Sequence, residues 1–191
     1  MRRLLALAAL ALASSQASAM EMTVQGDSIV MSGSVAGHEC DTLESMLAKN
    51  TIKLIVLKDS GGGNARAGYC VGALVRKSGL STLIRGRCAS SCSRMWLGGV
   101  ERTLEGPNSR VGLHGNYDNS GALLQEAPGR LRAWIPQYAP NVDKELMEQW
   151  IRLPVNKSMM YFYNDRAELC EQGACSAIKG RNVHNVGLAT K

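Results

Sequence analysis

Ser90 lies between two cysteines in Gly86-Arg87-Cys88-Ala89-Ser90-Ser91-Cys92, and His114 closes the later run Asn108-Ser109-Arg110-Val111-Gly112-Leu113-His114. A serine hydroxyl attacks a carbonyl only when a base takes its proton, and an imidazole titrating near neutrality suits that task. Ser90 follows a β-run, Ser81 to Arg85, and precedes an apolar helical run. It therefore falls at a strand-to-helix turn, where unpaired amides and the helix dipole favour developing negative charge. A second loop, Asp59-Ser60-Gly61-Gly62-Gly63, has no side chains to keep a substrate off its backbone. One amide from Ser91 and one from Gly62 or Gly63 would make an oxyanion hole. Each signal has a plainer reading: a serine at a helix start as an N-cap, a histidine as a structural group, a glycine triplet as a turn.

The elements that must hold these residues alternate. Ser28 to Gly33 reads as a strand, and His38 to Asn50 as a helix with Cys40, Leu43, Met46 and Leu47 at helical spacing. Lys53 to Leu57 is a short β-branched run closed by the glycine loop, in the manner of a buried parallel strand. Ala67, Cys70, Val71, Leu74 and Val75 mark the next helix, which Gly79 ends. The strand Ser81 to Arg85 and the helix Ser90 to Leu97 follow, and a strand Arg110 to Leu113 delivers His114 at its end. This order predicts an α/β fold, a parallel sheet with covering helices, with its active loops at the carboxyl ends of the strands. The later half reads as helical. Leu131, Trp134, Ile135 and Tyr138 form one stripe broken by Pro136, and Asn141 caps a second helix carrying Val142, Leu146, Trp150 and Leu153.

Met1-Arg2-Arg3, an apolar run from Leu4 to Ala13 and the ending Ala17-Ser18-Ala19 describe a secretory signal peptide over residues 1–19, too short to remain as a membrane anchor. Residues 20–191 then form a single domain, periplasmic or secreted. The chain has 22 Lys and Arg against 16 Asp and Glu, a net +6 that becomes +4 without Arg2 and Arg3. The cations are scattered with few aromatics between them, so no nucleic-acid partner is expected. Six cysteines in an exported chain imply up to three disulfides. Fifteen pairings are formally open. Spacing favours Cys88 with Cys92 and Cys170 with Cys175, leaving Cys40 with Cys70. His38, His114 and His184 lie too far apart for paired ligand spacing, so neither a metal nor another cofactor is expected.

Taken in order, these residues resemble the Clp protease proteolytic subunit and, more distantly, the crotonase superfamily that shares its ββα units. Asp59 to Gly63 with Ala67-Gly68 is similar to that family's Asn-Ser-Pro-Gly-Gly loop and the Ala-Gly opening its next helix. Gly86 to Ser90 is similar to its Gly-x-Ala-Ala-Ser segment. Pro107 to His114 is the closest match and ends on the family's catalytic histidine. The resemblance is good from Ile29 to His114 and thins to Glu168-Leu169-Cys170-Glu171-Gln172-Gly173. It implies Ser90 as nucleophile, His114 as base, and Gly62 or Gly63 with Ser91 as oxyanion donors. Cys-x-Ser-x-Cys resembles an exported branch of the Clp-protease-like group.

The sequence departs from the pattern in three places. Tyr161 falls at the family's aspartate position; Asp165 is near, but Asp165-Arg166-Ala167-Glu168 reads as a helix-capping box. Gly61 replaces the loop proline, and Cys88 and Cys92 bracket the serine. The leading expectation is a serine peptidase acting on a peptide or protein substrate, as a monomer or small homo-oligomer without a stable membrane anchor. The alternative is a catalytically inactive scaffold or peptide-binding protein of the same fold. Acyl-CoA chemistry and thiol-disulfide exchange at Cys88-x-x-x-Cys92 rank below both, since coenzyme A is not expected outside the cytoplasm and the redox spacing is Cys-x-x-Cys.

Overall fold

The computed structural model describes residues 19–118, 120–153 and 157–191. The signal-peptide expectation falls on residues 1–18, outside the described residues. Among the described residues nine strands form one mixed sheet: β1 (Glu21–Gln25), β2 (Ser28–Ser32), β3 (Leu54–Ser60), β4 (Ser81–Ala89), β5 (Arg102–Leu104), β6 (Arg110–Leu113), β7 (Met159–Phe162), β8 (Ala167–Glu171) and β9 (Ala174–Ala177). The spatial order is β1-β2-β3-β4-β6-β7-β8-β9, with β5 paired to β4 off this path. The centre, β2-β3-β4-β6, is parallel, as the alternating pattern requires, and antiparallel strands flank it on both sides. The helices that accompany the sheet in these residues are α1 (Glu39–Leu47), α2 (Ala65–Lys77), α3 (Ser91–Leu97), α4 (Ala127–Tyr138) and α5 (Lys144–Ile151).

Strand β4 positions the site. It runs nine residues, longer than the β-run alone suggests, and turns at Gly86, whose φ is +80°. That backbone conformation favours glycine, and a Cβ there would also displace the Asp59 carboxylate, 2.0 Å away at Oδ1. Before the bend β4 pairs with β5, and after it with β6 through Arg87, Cys88 and Ala89. On the other side Ser60 of β3 sits level with Cys88. Those registers bring the loop after β3, the turn after β4 and the residue after β6 to one edge, although they are far apart along the chain.

Helix α3 is held by α2 at unusually close range. A Cβ on Gly68 would fall 2.5 Å from the Ser91 carbonyl oxygen, and one on Gly72 would fall 2.3 Å from that of Arg94. The two glycines, one helical turn apart, let the backbones touch. All seven α3 residues are buried.

Beyond His114 the structure corrects the helical reading. α4 and α5 form, but β7, β8 and β9 follow them. Met159-Met160-Tyr161-Phe162 is too rich in aromatics to prefer helix, and the Gln172-Gly173 turn, with positive φ at both residues, folds β8 back on β9. Asp165 caps no helix: it precedes β8 and pairs with Arg166 at 3.0 Å, largely exposed. The cap of α5 is Asp143, which accepts the Leu146 amide at 2.9 Å, rather than Asn141. Pro136 does not break α4, which runs on to Tyr138; its missing N–H costs the helix one hydrogen bond, to the Arg132 carbonyl, two residues from the helix end. All three expected disulfides form: Cys40–Cys70 between α1 and α2, Cys88–Cys92 around the β4–α3 turn, and Cys170–Cys175 across the β8–β9 hairpin. No helix of the described residues is long and apolar enough to cross a membrane.

Candidate active site

Ser90 occupies the N-cap position of α3, but its side chain caps nothing. Its backbone has φ +57° and ψ −124°, a conformation strained for any residue but glycine. The strain is held from three sides. The Ser90 amide donates to the Gly112 carbonyl at 3.0 Å, the Ser90 carbonyl accepts the Ser93 hydroxyl at 2.6 Å, and the Cys88–Cys92 bridge spans the turn with both cysteines fully buried. The hydroxyl so presented meets His114 Nε2 at 2.7 Å. A capping serine would spend that oxygen on its own helix; this one spends it on an imidazole.

The far nitrogen of His114, Nδ1, contacts the carbonyl of Gly115. A carbonyl can only accept, so Nδ1 carries the proton and Nε2 offers its lone pair to Ser90. Neither Tyr161 nor Asp165 takes that place. Tyr161 stands opposite Gly112 in the β6–β7 pair, with its ring against the Gly112 backbone. The His114 carbonyl is pinned by Trp150 Nε1 and by Arg94 Nη2, each at 2.9 Å, and its ring stacks on Tyr117 with 5.7 Å between centroids.

Arg94, only 2% exposed, is the functional candidate that sequence reasoning missed. Its guanidinium also donates to Ser93 Oγ at 2.7 Å and lies over the rings of Trp150 and Tyr69. No carboxylate is among these contacts. A lone arginine inside the run Ser-Cys-Ser-Arg-Met-Trp-Leu was the visible signal. Burial first, and then this cation, push the His114 imidazole down to about 4, against a smaller upward pull from the Gly115 carbonyl.

The glycine loop meets the turn from the other side. Gly62 has φ +92°, and a Cβ on it would stand 2.6 Å from the Ala89 oxygen and from Ser90 Cβ, and 2.9 Å from the Ser91 amide nitrogen. Its amide donates to the buried Ser60 hydroxyl at 3.3 Å. Gly63, at φ +145°, packs on Val35 and faces the cleft. The loop therefore offers Gly63 rather than Gly62 as a free donor beside Ser91.

A cleft of about 920 Å³ opens over Ser90 and His114, between Val35, Ala36 and Gly63 on one side and Tyr69, Tyr117, Leu124 and Trp134 on the other. It is large enough for several residues of extended chain. Among the described residues, the group with metal-ligand types in reach of one another is Glu168, Cys170 and Cys175, and those sulfurs are joined in a disulfide, so they present no thiolate.

No protein-family model matches the sequence, and no curated protein matches it either. Solved structures do. A mutant of ClpP1 from Listeria monocytogenes superposes with a TM-score of 0.53 at 13% identity, covering 85% of this chain and 88% of that one. A mutant of the 1510-N membrane-bound stomatin-specific protease gives 0.54 at 13% identity, over 84% and 75%.

The chain has the Clp-protease-like fold.

A structure described as an enoyl-CoA hydratase of Streptomyces coelicolor A3(2) overlaps less closely, at a TM-score of 0.48 with 11% identity over 96% of this chain and 70% of that one, and does not bear on the fold. At such identities the Clp-protease-like architecture is what is shared, and the chemistry rests on the residues of this chain.

Proposed function

We propose that this Clp-protease-like protein is an exported serine hydrolase, a peptidase that cleaves through an acyl-enzyme on Ser90. The contact between Ser90 Oγ and His114 Nε2, made by a serine in strained backbone that caps no helix, carries the reading. In the first step Nε2 takes the hydroxyl proton as the oxygen attacks the scissile carbonyl, and the Gly63 and Ser91 amides receive the oxyanion. The imidazolium then protonates the leaving amine, and the acyl-enzyme forms. Water, deprotonated by the same nitrogen, attacks the ester and releases Ser90.

The Gly115 carbonyl stands where a triad carboxylate would. It holds the tautomer but carries no charge to stabilise the imidazolium, and Arg94 opposes that cation. Slow turnover follows. The three disulfides agree with export to an oxidising compartment. No metal or organic cofactor takes part in these steps, and the protein works as a monomer or small homo-oligomer.

The missing carboxylate is also the observation behind a second reading, an inactive scaffold that binds peptides in the same cleft. Turnover of a peptide p-nitrophenyl ester separates the two. A hydrolase gives a burst of one nitrophenolate per chain followed by a slow steady rate, and both vanish in Ser90→Ala. Binding of the peptide without a burst, unchanged by that substitution, leaves the scaffold reading.

A further inference from the structure

We propose that the cleft selects peptides with an acidic side chain beside the scissile bond, a substrate class that rests on the hydrolase reading for its catalytic half only. Two guanidiniums line the cleft, Arg66 in the first turn of α2 and Arg130 in α4, and no carboxylate lines it among the described residues. Arg66 makes no ion pair with any described residue. Arg130 pairs with Glu126, but both side chains are about three-quarters exposed, so a substrate carboxylate competes for it at little cost.

Behind this wall lies Arg94, buried and touched by no carboxylate of the described residues, so its field is screened less than that of a surface cation. His114, neutral above about pH 4, adds no charge of its own. Among the described residues one further carboxylate approaches the lining, that of the buried Glu39, which is turned onto the loop backbone: Oε1 accepts the Ala36 amide at 2.5 Å and Oε2 the Gly37 amide at 2.7 Å.

The rest of the wall suits the stem of such a side chain. Tyr69 and Trp134 meet edge to face with centroids 5.0 Å apart, and Leu124, 46% exposed, lines the cleft with them. Aliphatic methylenes can lie on these rings while the terminal carboxylate reaches a guanidinium. A lysine or arginine in the same place meets the unpaired Arg66 and finds no free carboxylate among the described lining residues. The cleft therefore discriminates by repulsion as well as attraction.

The test uses the purified, oxidised protein and three internally quenched octapeptides, identical except for Glu, Gln or Lys at the two residues flanking the central bond. The expected order of kcat/KM is Glu, then Gln, then Lys, with Glu over Gln by about fivefold at low salt and less at high salt. Arg66→Ala brings the Glu-to-Gln ratio toward one, and Arg66→Glu moves the preference toward Lys. Equal cleavage of all three overturns the proposal and leaves the hydrolase reading standing. If none is cut, that reading fails separately, and titration of the peptides onto Ser90→Ala, followed by tryptophan fluorescence, decides the selectivity. Tighter binding of the Glu peptide upholds it; equal binding, or none, overturns it.

Discussion

Ser90 is held where a side chain is disfavoured, and the site depends on that. A non-glycine residue at φ +57° costs about 1–3 kcal/mol. Ser90→Gly removes the strain together with the nucleophile. It should raise the denaturation midpoint relative to the parent while abolishing hydrolysis, a trade of function for stability seen in chemical melts; a lower midpoint would mean the conformation is not strained. His114 gives the second expectation at this scale. Its value near 4 lies below the usual 6.5 for histidine, so above pH 6.5 folded and unfolded chains are both neutral there. Between 6.5 and 4 the unfolded chain takes up a proton that the folded chain refuses, and this residue's contribution to stability falls as the pH drops through that window. The base stays available down to about pH 4, so the acidic limb of kcat/KM should fall there. Arg94→Met should raise the His114 midpoint, read as an NMR titration of its ring protons, and carry the acidic limb with it. An unmoved midpoint would remove Arg94 from the site.

At the scale of elements, the close seat of α3 on α2 sets the direction of Ser90. Alanine favours helix over glycine by about 1 kcal/mol, so Gly72→Ala would stabilise an isolated α2. In the folded protein the new Cβ would stand 2.3 Å from the Arg94 carbonyl oxygen, a backbone atom that cannot turn aside. We expect a loss of about 1–3 kcal/mol in urea melts, with hydrolysis reduced because α3 must move; a gain in stability would show that the helices have room. The same elements explain what could be read in advance. Strands β2, β3, β4 and β6 and helices α1, α2 and α3 follow hydrophobic periodicity and turn residues, and the expected segments lie within a few positions of the observed ones. Strand β5 has three residues, and β9 is exposed at all four, so neither carries an apolar signature. Asp165 to Glu168 has the letters of a capping box without the helix behind it. Within the site, Ser90, His114 and the glycine loop were legible because their types and spacing are unusual. The Gly115 carbonyl was not, since any residue has one, and only the fold decides which carbonyl meets an imidazole.

At the scale of the whole molecule, three disulfides staple the sheet and its helices, one between two helices and two around single turns. Cys40–Cys70 closes a separation of 30 residues between α1 and α2, whereas the other two bridges span 4 and 5. Constraint of the unfolded chain grows with loop length, at about 4 kcal/mol for the long loop and about 2 kcal/mol for each short one. The Cys40→Ala/Cys70→Ala pair should therefore lose more stability than Cys88→Ala/Cys92→Ala in parallel melts. The second pair should instead lose more hydrolytic activity, because it frees the turn that carries Ser90; the reverse pattern would make the inner bridge a stability device alone.

The central claim, that His114 makes Ser90 a nucleophile, is tested most directly by a fluorophosphonate probe with the modified residue located by mass spectrometry. The account predicts one adduct per chain, on Ser90, absent in Ser90→Ala and strongly slowed in His114→Ala. No adduct on the oxidised protein, or an adduct elsewhere that survives Ser90→Ala, would contradict it.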